Sequence, residues 1–253
     1  MTKLLGGASF LIRGLGLLNK SGVRRWVLIP LLINTLLFVS LFALGASWVS
    51  DFISQTIASL PEWVQWISWL IWLLFAIVAA LIGFFLFSIV ANIVASPFNA
   101  YLSQAVEKHL VQADGQTYQA PQSEMGFMET VKHSVGNELR KAGYFLMLAL
   151  PMLLLFVIPG VNFVAPFLWF LYSAWMLAME YIAYPGDNHE WSFKKIRASM
   201  RENRLSTLVF GATISLAMMI PFINLLIMPA SVAGATLYWH RELKSAKALT
   251  EIA

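Results

Sequence analysis

KSGVRRWVLIPLLINTLLFVSLFALGASWVS, residues 20–50, is a basic turn that runs directly into an apolar helix. From Trp26 to Ser50 there is no charged residue, and a run of about 25 residues is enough to cross a hydrocarbon core of roughly 30 Å. Pro30 falls in the first turns, where proline is tolerated. Ser21 is placed to cap this helix, which makes Arg24 its third residue, the position where a capping box carries Glu or Gln. Here two arginines, Arg24 and Arg25, stand at a helix start that already carries partial positive charge and unpaired N–H groups. That pattern outlines an anion site. Read from local sequence alone, Arg24 and Arg25 fit the cytoplasmic anchor of a membrane span better than an anion site, and both readings stay open.

Outward from this stretch, the 253-residue chain is 59% hydrophobic and 12% charged, the balance of an α-helical membrane protein. Its net charge of +4 is modest, and the basic residues lie beside apolar runs, so lipid headgroups and small anions are the expected contacts. No basic stripe with interleaved aromatics points to nucleic acid. The absence of cysteine removes disulfides, iron–sulfur clusters and thiolate catalysis. The first twenty residues lack the order of a signal peptide and are too short and glycine-rich to span; they read as an interfacial amphipathic helix.

The sequence predicts one membrane domain over residues 1–253. After the interfacial helix (1–20), residues 21–50 form the first transmembrane helix and 51–62 a polar turn. A second, longer uncharged run over 63–106 opens with Trp63, Trp66, Trp69 and Trp72 and carries Ser96-Pro97-Phe98-Asn99 near its far end. This predicts a second span, bent or broken at Pro97, that continues into the cytosol. Residues 107–141 are a cytoplasmic helical segment interrupted at Asp114-Gly115. Two apolar hairpins follow, over 142–179 and 205–240, separated by a basic amphipathic segment (180–204) and followed by a tail (241–253). Their tips share a pattern, Ile158-Pro159-Gly160-Val161-Asn162 and Ile220-Pro221-Phe222-Ile223-Asn224, each followed by another proline. Broken apolar segments in matching positions point to a permeation site, and the same pattern also suits two ordinary helical hairpins.

Lys and Arg gather in the N-terminal region, in 107–141, in 180–204 and in the tail, with none in the 51–62 turn or at either hairpin tip. The positive-inside rule places all four basic regions on the cytoplasmic side, so each hairpin enters from the cytoplasm and returns to it. Arms of about 16 to 19 uncharged residues are near the lower limit for a crossing, and the uncharged tips favour re-entrant hairpins shielded by protein.

The four histidines show no metal-ligand spacing, and no phosphate-binding loop, nucleophile elbow or zinc-protease motif occurs, so no cofactor or metal is expected and ATP is not the driving force. Tyr184 to His189 has the composition of a turn. Lys194, Lys195, Arg197, Arg201 and Arg204 lie on an amphipathic helix suited to lipid headgroups. Among the polar residues of the spans, Asn34, Asn92, Ser96 and Asn99 are candidates for lining a path, with helix–helix hydrogen bonding as their alternative role. Glu107 and Lys108 are candidates for a charged vestibule or an exposed ion pair.

These residues resemble the CysZ family of bacterial inner-membrane sulfate permeases over nearly the whole chain. The resemblance rests on Gly22-Val23-Arg24-Arg25, Ser96-Pro97-Phe98-Asn99, Phe167-Leu168-Trp169-Phe170, Ser173 to Ala178, Tyr184-Pro185 with Asp187-Asn188-His189, and Pro229. It implies ATP-independent uptake of sulfate for cysteine synthesis, two transmembrane helices with two hemi-penetrating hairpins, a homo-oligomer, and sulfate held at Gly22, Val23, Arg24 and Arg25, to which the Ser21 hydroxyl adds a further donor by its chemistry. Two rivals from other classes are a non-transporting scaffold that binds anionic lipid and partner proteins, and a lipid-modifying enzyme. The scaffold gives no reason for arginines in the first turn, and the enzyme needs an acid/base or metal constellation that the sequence lacks.

Overall fold

The computed structural model describes residues 2–59, 61, 67–121, 127–220 and 223–244; within the helices, the side chains of 2–5, 88–89, 92–96, 127–128, 130–131 and 133–134 lie outside that description. Every regular element among the described residues is helical: α1 (Thr2–Leu18), α2 (Arg25–Ala58), α3 (Ser68–Ala113), α4 (Phe127–Leu155), α5 (Ala165–Asn188), α6 (Phe193–Glu202), α7 (Arg204–Met218), α8 (Asn224–Tyr238) and a closing π-helical turn, Trp239–Leu243. The chain forms two compact units, one of residues 25–98 and the other of 1–24 with 99–253.

In the first unit α2 and the N-terminal part of α3 are long and apolar enough to cross a membrane. The uncharged run sets their minimum length, but neither helix stops there. α2 continues through Asp51 and Gln55 to Ala58, so the polar turn expected from residue 51 begins eight residues later; Trp63 and Trp66 lie outside the described residues. With 34 residues α2 is about 51 Å long and with 46 residues α3 is about 69 Å, both well beyond a hydrocarbon core of roughly 30 Å. Pro97 does not end α3, which runs unbroken until Asp114-Gly115, where Gly115 takes the left-handed conformation at φ 74°. The two helices meet through aromatic rings, Trp26 with Phe98, Phe38 with Phe87 and Phe52 with Phe75, at centroid separations of 6.4, 5.4 and 6.2 Å. The paired numbers fall on one strand of the hairpin as they rise on the other, which fixes an antiparallel register. Most other large side chains on both helices are exposed, as lipid-facing surfaces are.

The second unit is a helical bundle built on close approach. α1, expected to lie in an interface, packs one face into this bundle against α7 and α8, burying Phe10, Leu11 and Leu18. Two of the glycines that weaken it as a spanning segment, Gly7 and Gly14, are its closest contact points. A β-carbon on Gly14 would strike the Ala230 carbonyl oxygen and stand 2.6 Å from Gly234 N, and one on Gly234 would stand 2.7 Å from the Phe10 carbonyl oxygen. Gly211 of α7 likewise presses on the Ala174 carbonyl of α5. Around these contacts Tyr238 is enclosed, its ring 4.8 Å from Phe10 and 5.8 Å from Phe210, with its hydroxyl 2.9 Å from Thr207 Oγ1.

The hairpins appear as α4–α5 and α7–α8. The first turns over at residues 156–164, with Gly160 at φ 82° and Phe163 and Val157 strongly exposed. The second turns over at residues 219–223, of which Pro221 and Phe222 lie outside the described residues. Residues 184–189 are not a free turn: α5 continues through Pro185 to Asn188. Buried Asn137 of α4 then holds the chain beyond it, donating to the Trp191 carbonyl at 2.9 Å and to Asp187 Oδ1 at 3.3 Å and accepting from the Phe193 N–H at 3.0 Å.

Replacing Gly211 by Ala forces α7 away from α5, and overpacking of this kind costs roughly 1–3 kcal/mol. Gly45→Ala, where the added carbon meets no atom within 4 Å, is expected to be neutral or to gain up to about 1 kcal/mol from helix propensity. Thermal unfolding of the two variants in detergent checks the contrast, which fails if Gly211→Ala melts with the parent.

Candidate functional site

The helix start differs from the capping scheme that the sequence suggests. Helix α2 begins at Arg25 rather than after Ser21, and the Ser21 hydroxyl has no hydrogen-bond partner among the described residues. A tight turn precedes the helix instead: the N–H groups of Val23 and Arg24 donate to the Lys20 carbonyl at 3.1 and 3.2 Å. Gly22 sits at its apex at φ 83°, a left-handed conformation that costs other residues roughly 1–2 kcal/mol. Val23 is fully buried, whereas Ser21, Gly22, Arg24 and Arg25 are exposed. Val23 thus anchors the turn and leaves its polar groups facing outward. Arg24 and Arg25 have no carboxylate within ion-pair distance among the described residues, and Arg25 stands 5.0 Å from the Trp26 ring centre. The result is a pair of unneutralised guanidinium groups at a helix start whose first N–H groups lack intrahelical acceptors.

The path candidates fall into different settings. Asn34, on α2, has a buried Oδ1 with no hydrogen-bond partner. The side chains of Asn92 and Ser96 lie outside the described residues. Asn99 donates to the Tyr184 hydroxyl at 3.2 Å. Glu107 is not in an exposed ion pair with Lys108: it is 3% exposed, while Lys108 is exposed. Its carboxylate lies 2.8 Å from His189 Nε2 and 3.8 Å from Lys244 Nζ. As the carboxylate only accepts, Nε2 donates. The His189 ring also stacks 4.5 Å from Trp239, over whose ring Lys244 stands at 5.0 Å.

These contacts make a polar seam between α3 and α5, comprising Asn99 with Tyr184, Gln104 with Asn188, the Ala100 carbonyl with Asn188, and Glu107 with His189. The sequence reading missed it because Tyr184 to His189 was assigned to a turn. On a helix, residues 184 and 188 are one turn apart and share a face, and that spacing was the available signal. A second cluster escaped notice, in which Asp114 accepts from Arg241 Nη2 at 2.8 Å and pairs with His240 Nε2 at 3.1 Å, holding the π-helical turn to the end of α3. Hydrogen bonds from His240 and Arg241 keep the Asp114 carboxyl below its ordinary pKa, with the Arg241 charge adding to them.

Two outcomes follow from this geometry. His189→Ala leaves the buried Glu107 carboxylate short of its nearest donor and is expected to destabilise by about 3 kcal/mol, with a much smaller cost in a Glu107→Gln background. A thermodynamic cycle measures the difference, and equal costs in both backgrounds would show that the contact carries no energy. Because the Asp114 pKa is lowered on folding, its support for the C-terminal turn is fully present above the ordinary value of about 3.9 and is lost as pH falls through the lowered one. Amide-exchange protection at residues 239–244, relative to the intrinsic rate at each pH, should fall on acidification below about pH 4, and Asp114→Asn should remove that dependence.

Comparison with known proteins identifies the family. Residues 10–229 match the family model described as sulfate transporter CysZ/etoposide-induced protein 2.4. The chain is 40% identical over 238 residues to the sulfate transporter CysZ of Pseudomonas aeruginosa, covering 94% of this chain and 96% of the relative. It is 43% identical over 239 residues to that of a Pseudomonas fluorescens strain (94% and 95% coverage) and 40% identical over 235 residues to that of Pectobacterium atrosepticum (92% and 84%). With identity of this order sustained over nearly the whole length, the chain belongs to the CysZ family of sulfate transporters.

Proposed function

We propose that this protein is a permease that carries sulfate across the bacterial inner membrane into the cytoplasm, without ATP, to supply cysteine synthesis. The observation that carries the reading is the exposed Arg24-Arg25 pair, held out by buried Val23 and left-handed Gly22 and lacking any carboxylate partner among the described residues. Sulfate is a dianion at neutral pH with no proton to donate, so a site for it consists of donors alone. Ser21, the backbone around Gly22 and Val23, and the two guanidinium forks supply such donors. An open turn suits a transport site, which must release what it binds.

In this reading α2 and α3 cross the bilayer, while the hairpins enter it partway from the cytoplasmic side. Helix length supports partial entry for the second hairpin, where α7 and α8 have 15 residues each, about 22 Å, short of a core of roughly 30 Å; α4 and α5, with 29 and 24 residues, are not limited in this way. A partial insertion leaves the apolar tips within lipid or against other protomers, which favours a homo-oligomer. The path is assigned to Asn34, Asn92, Ser96 and Asn99 with Glu107 and Lys108 near its cytoplasmic end. Asn34, whose acceptor is unpartnered, is the strongest candidate for contact with water in the path. Asn99 and Glu107 act there by positioning α5.

Arg24→Ala/Arg25→Ala should weaken sulfate binding by at least tenfold for each charge-assisted hydrogen bond removed, about 1.5–3 kcal/mol apiece. Sulfate uptake by proteoliposomes, compared with chloride and phosphate, measures the effect on transport. A folded double variant that binds and carries sulfate like the parent would eliminate this site, and a parent that moves no sulfate would eliminate the transport reading.

A further inference from the structure

Helix α6 is short, well capped and one-sided. The Ser192 hydroxyl accepts the Lys195 N–H at 3.3 Å, and Ile196, Ser199 and Met200 turn inward. Lys194, Arg197 and Arg201 are spaced by three and four residues, which puts them on a common stripe on the other side. Arg204 extends the stripe onto α7 and ties itself to the end of α6 by donating from Nε to the Arg201 carbonyl at 3.0 Å. Against these cations and Lys195 the segment 193–204 has a single acid, Glu202, and none of the five has a carboxylate within ion-pair distance among the described residues. Lys195 and Arg197 stand over aromatic rings, 4.9 Å from Trp191 and 4.6 Å from Tyr144. Even so, the Nε of Arg197 is buried with no acceptor. Like charges at this spacing repel one another, and an unsatisfied guanidinium nitrogen lacks an oxygen partner.

The surroundings distinguish the missing anion from a free one. At the junction of α6 and α7 an open depression of about 390 Å³ is lined by Arg201, Glu202, Asn203, Arg204, Leu205 and Ser206, two guanidinium groups against one carboxylate. Leu205 is 51% exposed, so an apolar side chain stands in the open beside two guanidinium groups. Charge beside exposed hydrocarbon matches an amphiphile rather than an inorganic ion.

We propose that the α6 stripe, with the depression at Arg201 and Arg204, is a binding surface for the phosphate groups of anionic phospholipids, separate from the arginine pair at the start of α2. The purified protein, incorporated in phosphatidylcholine nanodiscs doped with phosphatidylglycerol, should retain phosphatidylglycerol preferentially when its bound lipids are counted by native mass spectrometry. Each cation removed lowers the preference roughly fivefold, so Arg201→Gln/Arg204→Gln should lower it by about 25-fold. Arg201→Lys/Arg204→Lys should keep most of it. In the unaltered protein, raising salt from about 0.1 to 1 M, which shortens the screening length from about 10 to 3 Å, should also erode it, a readout that needs no variant. Equal retention of the two lipids by the parent overturns the proposal, as does a preference that survives in the glutamine variant. Inorganic sulfate titrated into the protein in neutral detergent provides the other arm: loss of bound sulfate in Arg201→Gln/Arg204→Gln would make the surface a free-anion site and overturn the lipid assignment.

Discussion

The bundle of α1, α5, α7 and α8 depends on how closely its helices approach one another. Dispersion between packed helices falls off steeply with separation, so association of this kind relies on close van der Waals contact. Contact of that kind is strongest where no side chain separates the backbones. Gly14 against Gly234 and Gly211 against Ala174 are such places. The same approach explains why α1 belongs to the bundle. Its glycines look like defects in an isolated amphipathic helix, but Gly7 makes room for the Ser206 carbonyl of α7 and Gly14 for the Ala230 carbonyl of α8, and Phe10 and Leu11 between them are buried.

Once α5 is fixed by that packing, the polar seam along α3 becomes possible in register. Asn99, Gln104 and Glu107 succeed one another down α3, and Tyr184, Asn188 and His189 answer them at the end of α5. A shift of either helix by one turn would leave the Glu107 carboxylate buried beside apolar surface, at a cost of several kcal/mol. The seam therefore selects one register where packing of small residues alone tolerates several. Trp239 completes it from the C-terminal side by stacking on His189, and the Asp114 cluster holds the turn that carries Trp239.

Much of this was legible in the sequence where a single physical rule decides. Uncharged length announced α2 and α3, Asp114-Gly115 announced the end of α3, and the paired Ile-Pro-x-Val/Ile-Asn tips announced two hairpins. Misreadings occurred where long-range contact overrides a local signal. Tyr184-Pro185-Gly186-Asp187-Asn188-His189 has turn composition, yet Gly186 and Pro185 are buried and the segment stays helical because its side chains bond to α3. Glu107 looks like a surface charge until a partner 82 residues away is brought to it. Ser21 has the chemistry of a cap, but Gly22 takes the chain through a tight turn and delays the helix by several residues. The resemblance that named the arginine turn came from ordered motifs, not from composition.

The pairing of charges gives the last step. Four acids are paired internally: Glu107 with His189, Asp114 with His240 and Arg241, and Glu138 and Glu180 with Lys141. Lys141 shows how firm such pairing is, since burial opposes its charge while the Glu180 and Glu138 carboxylates more than compensate and raise its pKa. At Arg24-Arg25, and along Lys194 to Arg204 where Glu202 is the single acid, no carboxylate is within ion-pair distance of these cations among the described residues. Under the two proposals made above, these places are left to anions from outside. They differ in setting: the first is a turn of exposed donors with an open glycine at its apex, and the second is a stripe bordered by aromatic rings and an exposed leucine. A small mobile dianion fits the first, and a headgroup that brings its own hydrocarbon fits the second.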